Sequence, residues 1–195
     1  MVTTKKSLTL VELMISAMLL GVVIAIPVAF DLFARTQLKI IEKRIALINE
    51  GMYGVENIAK KIKESVGGSK LDTGIKPIYS GGQIIGVWIR EDANNNYQPD
   101  DNSGTNFIIW NNSLWMINRV PYSSTFSGSV AGYTQLIDSK IVTANSQLVP
   151  ISSNGVNNGV RIRFTLREKP IQPKSLQNPE VFLRIDVILN SNSIS

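Results

Sequence analysis

A chain of 195 residues holds one domain of ordinary size plus whatever its N-terminal helix adds. With 18% charged and 44% hydrophobic residues it is not a disordered chain, and it lacks both cysteine and histidine. Disulfides, thiolate or imidazole zinc sites and Cys- or His-based nucleophile pairs are therefore excluded. The net charge of +5 is spread over both halves, too evenly for nucleic-acid binding to be expected.

The chain opens with a short basic leader, Lys5 and Lys6, then Ser7-Leu8-Thr9-Leu10-Val11-Glu12, then eighteen residues from Leu13 to Phe30 without a charge. As a helix that segment is about 27 Å long at roughly 1.5 Å per residue, close to the thickness of a bilayer core, so it is long enough to cross once. The positive-inside tendency keeps Lys5 and Lys6 cytoplasmic and sends everything after Phe30 outward. A cleaved secretory signal fits poorly. The apolar run exceeds a usual signal core, no small-x-small site follows it, and Glu12 interrupts its front. A plain anchor does not need Glu12 either, because a carboxylate at membrane depth is costly, so the carboxylate calls for a partner.

The run from Ser7 to Glu12 resembles the type III signal of bacterial type IV pilins and type II secretion pseudopilins, which reads Gly, apolar, Thr, Leu, apolar, Glu. Ser7 stands where that family nearly always has Gly. The resemblance implies cleavage between Ser7 and Leu8 by a prepilin peptidase and N-methylation of Leu8. It also implies that Glu12 neutralises the new amine of a neighbouring subunit.

Further along, Leu38, Ile41, Ile45, Ile48, Met52, Val55, Ala59, Ile62 and Val66 recur at spacings of three and four, which predicts an amphipathic helix with a narrow apolar stripe. Its C-terminal half is expected to dock on the head domain and its N-terminal half to meet other subunits. Pro27 should kink or loosen the helix, Gly51 and Gly54 are weak points within it, and Gly67-Gly68 ends it. The expected organisation is a leader over 1–7, one long helix over 8–66 with 8–30 as the membrane or filament part, and a β-rich head over 67–195. A helix of that length must project from a domain of this size.

In the head, Ile84–Ile89 is expected as a strand, and Phe107–Trp110 and Leu114–Ile117 as a hairpin about Asn111-Asn112-Ser113. Residues 121–133 are expected as loop, and Leu136–Val142 as strand or short helix. Val160, Ile162, Phe164 and Leu166 alternate with Arg161, Arg163, Thr165 and Arg167, a half-buried strand with a cationic face; Val181–Leu189 then closes the sheet. The fold class is α+β, an antiparallel sheet packed on the C-terminal half of a long helix. This order of elements is similar to W-type minor pilins and J-type minor pseudopilins.

One loop offers hard-cation ligands at alternate positions: Asp92, Asn94, Asn96, the Gln98 carbonyl and Asp100, spaced somewhat as in an EF-hand. Tyr97 stands where a turn glycine is expected and Ser103 where a bidentate Glu is expected, so calcium competes with an ordinary Asx-rich turn. The arginines of the 160s and Arg184 could present a basic stripe, although charged exposed strand faces are common. Trp88, Trp110 and Trp115 are expected in the core. No catalytic constellation is evident. The expected function is that of a minor pilin or pseudopilin, a non-enzymatic subunit with other pilin subunits, the prepilin peptidase and the inner membrane as partners. The alternatives are a membrane-anchored extracytoplasmic binding module or adhesin, with or without calcium-dependent binding, and a DNA-uptake pilin.

Overall fold

The computed structural model describes residues 9–65, 74–91, 103–153 and 156–188. The chain divides into two compact units, Met1–Glu42 and Lys43–Ser195. One α-helix, α1, runs Leu10–Glu64, close to the limits expected from the apolar periodicity. It is continuous through Pro27, as one long helix was expected to be.

In the first unit, α1 carries exposed apolar side chains from Leu10 to Phe33. It is long and apolar enough to cross a membrane. The first charges after the apolar run, Asp31 and Arg35, form an i,i+4 ion pair at 2.8 Å on exposed side chains, a contact worth only a few tenths of a kcal/mol, about 0.3–0.5.

In the second unit the C-terminal part of α1 packs on two antiparallel sheets. The first has five strands in sequential order: β1 Ile75–Ser80, β2 Gln83–Arg90, β3 Gly104–Trp110, β4 Ser113–Val120 and β5 Thr134–Ile137. The second has three: β6 Gln147–Ser153, β7 Val156–Arg167 and β8 Glu180–Ile188. The expectation of a single sheet is thereby corrected. So is the reading of Leu136–Val142, which becomes the end of β5 followed by an isolated bridge between Ile141 and Leu166.

The expected hairpin is present. Its turn is Asn111-Asn112, with Trp110 paired to Ser113 and both asparagines at positive φ, the combination a two-residue type I′ turn demands and asparagine tolerates. Two strands, β1 and β6, were not legible in the sequence, and each contains a proline, Pro77 and Pro150. Proline removes a ladder donor and argues against a central strand; both strands lie at sheet edges, where that loss is tolerated.

The core lies between helix and sheets. Leu47, Val55, Ile58 and Ile62 of α1 meet Val87, Ile89, Phe107, Ile109, Leu114, Ile137, Val160, Ile162, Phe164 and Leu166. The buried helix face differs from the predicted stripe. Ile45 and Ile48 remain 52% and 39% exposed, while Leu47, Gly51 and Gly54 are buried. The glycines are the reason. A Cβ on Gly51 would fall 2.5 Å from Leu166 Cδ1, and one on Gly54 would fall 2.8 Å from Ile137 Cδ1. Their lack of a side chain lets the helix axis approach the strands, so these positions are close-packing contacts and not weak points.

A second cluster covers the opposite face of the five-stranded sheet, built on Ile78, Trp88 and Ile108 and roofed by Tyr122, Phe126, Val130 and Tyr133 from the 121–133 segment. Trp88 is fully buried and donates its indole N–H to the Val120 carbonyl at 3.1 Å; Trp110 and Trp115 are half-buried at the edge of this cluster.

Candidate functional site

The residue types that carry the strongest chemical signal sit at the start of α1. Ser7 and Leu8 lie outside the described residues, and the site begins at Thr9. Thr9 donates its backbone N–H to Glu12 Oε2 at 2.8 Å and its hydroxyl to the same oxygen at 3.0 Å. In return Glu12 donates its N–H to Thr9 Oγ1 at 3.3 Å. This is a reciprocal capping box, a threonine at the N-cap and a glutamate three residues on, each satisfying a backbone donor that the first turn leaves unpaired.

The Thr-x-x-Glu spacing immediately before an apolar run is itself a helix-start signature. It was the missed signal here, since the sequence reading sought a partner for Glu12 only in another molecule. Within the chain, Glu12 already has a partner. Among the described residues its second oxygen, Oε1, accepts no hydrogen bond, so the carboxylate keeps acceptor capacity for another cation. The helix N-terminus also favours a negative charge in its first turn. The capping box uses only Thr9 and Glu12.

Pro27 lies inside α1, in the middle of the exposed apolar segment. It removes one backbone donor and leaves an acceptor one turn earlier without its usual partner, yet the helix persists on both sides.

The five candidate calcium ligands, Asp92, Asn94, Asn96, Gln98 and Asp100, lie outside the described residues. The flanks of that segment are described. Glu91 donates its N–H to the Ser103 carbonyl at 3.0 Å, extending the β2–β3 pairing by one step. The Glu91 carboxylate is committed elsewhere, accepting Lys61 Nζ at 2.8 Å and the Thr105 hydroxyl. Among the described residues no group of three or more acidic side chains gathers to hold a metal.

The arginines of β7 fall on one face, opposite the core side chains of the same strand. Arg161 makes a two-pronged contact with Asp186, 2.9 Å on each prong, and Arg167 engages Glu180. The Asp186 carboxyl is held below its ordinary value, chiefly by the Arg161 hydrogen bond.

No protein-family profile matches the chain, and neither a curated protein nor a solved structure matches it. What the coordinates define is a class: an α+β protein whose single long N-terminal helix is apolar and exposed in its first half and packs on antiparallel sheets in its second.

Proposed function

We propose that this protein is a structural subunit of the pilin type, a minor pilin or minor pseudopilin that helps to initiate or cap a type IV pilus or a type II secretion pseudopilus. The observation that carries this reading is the pairing of an uncharged, solvent-exposed helical segment with one carboxylate at its front, on a helix that continues into a β-rich head.

In this reading the chain rests in the bacterial inner membrane with its head outside, after a prepilin peptidase has removed residues 1–7 and methylated Leu8. It then leaves the lipid by packing its apolar helix among those of other subunits, which replace lipid contacts with helix contacts of similar polarity. Glu12 becomes tolerable in that dry environment when the amine of an adjacent subunit sits on it, because a buried carboxylate without a cation would be strongly destabilising. The free Oε1 supports this role, since the intersubunit amine need not displace Thr9. Pro27 provides a place where the helix can bend or open as it is packed.

Mass spectrometry of the native N-terminus tests the reading together with cross-linking of a Glu12→Ala variant. A chain starting at methylated Leu8, and loss of cross-links to other subunits in the variant, is the expected result. A chain that still starts at Met1, or unaltered co-assembly of the variant, would instead leave a membrane-anchored binding module.

A further inference from the structure

On the open face of the three-stranded sheet the side chains of β7 and β8 stand opposite one another in register: Arg161 with Asp186, Arg163 with Arg184, Thr165 with Phe182 and Arg167 with Glu180. Two of these arginines have a carboxylate of their own. Arg163 and Arg184 instead face each other, and directly opposed like charges, with Cβ atoms about 5 Å apart, are destabilising in a sheet. The Nε of Arg163 is also buried and makes no hydrogen bond among the described residues. On the other side of Arg163, across β6, stands Gln147, which brings no charge.

A folded chain retains such an arrangement at a cost, because a buried donor without an acceptor forfeits its hydration, and a charged one forfeits more. A carboxylate lying between the two guanidinium groups would remove both penalties together, because each arginine presents a planar fork that matches its two oxygens. The surroundings indicate what carries the carboxylate. Phe182 and Ile188, each 60% exposed, lie on the same face of β8. An arginine pair that shares the field of Asp186 but, among the described residues, hydrogen-bonds no carboxylate, and that stands beside exposed apolar side chains, has the composition of a protein interface core. A nucleic-acid strand would need a track of free cations and would meet Asp186 and Glu180 instead.

We infer that the Arg163–Arg184 pair is a carboxylate-binding site through which this face docks an acidic side chain of a partner protein. This goes beyond the assembly role of Glu12 and does not depend on processing of the N-terminus.

The test uses the full chain in detergent micelles and labelled poly-L-glutamate as the carboxylate probe, with inorganic phosphate and a single-stranded oligonucleotide as competitors. Arg163→Gln and Arg184→Gln should each weaken poly-L-glutamate binding by about tenfold or more, with Arg163→Lys intermediate because it keeps the charge and loses the fork. Lys174→Gln, which removes a charge near Glu180, should leave binding unchanged. Without ligand, Arg184→Gln should melt at the same temperature as the parent chain or higher, since it relieves repulsion; an arginine with a structural role would lower it. Binding by Arg163→Gln or Arg184→Gln as tight as that of the parent chain, a loss in Lys174→Gln as large as theirs, a lower melting temperature for Arg184→Gln, or displacement by the oligonucleotide at lower concentration than by free poly-L-glutamate would each overturn the assignment.

Discussion

Gly54 faces Ile137 so closely that a Cβ on the helix would stand 2.8 Å from its Cδ1 and 2.9 Å from Leu114 Cδ2. Both neighbours are fully buried and cannot move aside cheaply. In an isolated helix Gly→Ala stabilises by about 1 kcal/mol. Here Gly54→Ala should reverse that sign and destabilise by about 1–3 kcal/mol through overpacking. Chemical denaturation of the full chain in detergent, monitored by tryptophan fluorescence, measures it; a stabilised variant would show that the helix does not depend on this close approach.

The Thr9–Glu12 box predicts a local effect separable from assembly. Thr9→Ala removes the hydroxyl partner and should cost about 1 kcal/mol of helix-end stability, read as faster hydrogen exchange of the first-turn amides. Glu12→Gln keeps an acceptor oxygen, so it should preserve most of the cap while losing the charge that an intersubunit amine would need. If both variants assemble alike, the carboxylate serves the cap alone.

Lys43 ties the helix to the β7–β8 connection through Glu168 at 2.7 Å and the Gln177 carbonyl at 3.2 Å. The Lys43 hydrogen bond leads the effects that hold the Glu168 carboxyl below its ordinary value of 4.5. A depressed folded pKa gives stability that is complete above the unfolded value and is lost as pH falls through the folded one. The melting difference between the parent chain and Glu168→Gln should therefore be constant above about pH 5.5 and close as acid protonates the Glu168 carboxylate. Both side chains are more than a third exposed, so the difference should be small and should shrink in 1 M salt.

Asn178, 5% exposed, organises the same connection. Its Oδ1 accepts Lys169 N–H at 3.1 Å, and its Nδ2 donates to the carbonyls of Lys169, Pro173 and Gln172 at 3.0, 3.3 and 3.4 Å. Asn178→Asp is nearly isosteric but turns a carboxylate toward three carbonyl oxygens, and should destabilise by about 2 kcal/mol or more. Thermal unfolding of the variant at neutral pH checks this; partial recovery in acid, where the aspartate is protonated, is the expected companion result.

How much of this was legible without coordinates depends on which signal a residue emits. Apolar periodicity from Leu38 onward marked the C-terminal part of α1 as helix, since amphipathic spacing is a property of the chain itself. The same periodicity did not reveal that Gly51 and Gly54 face the sheet, because glycine carries no apolar side chain to count and yet makes very close helix–sheet contacts. Strands β1 and β6 escaped notice because a proline weighs against a strand unless one knows that the strand is an edge.

Local chemistry therefore sufficed for the elements whose pattern is written in consecutive residues: the uncharged segment after Glu12, the Asn111-Asn112 turn and the alternation of β7. The division into two sheets, the burial of Gly51 and Gly54, and the opposition of Arg163 to Arg184 were decided by tertiary structure. Each is a relation between residues far apart in the chain, set by strand register and by how closely two surfaces can approach, and neither quantity is encoded at any single position.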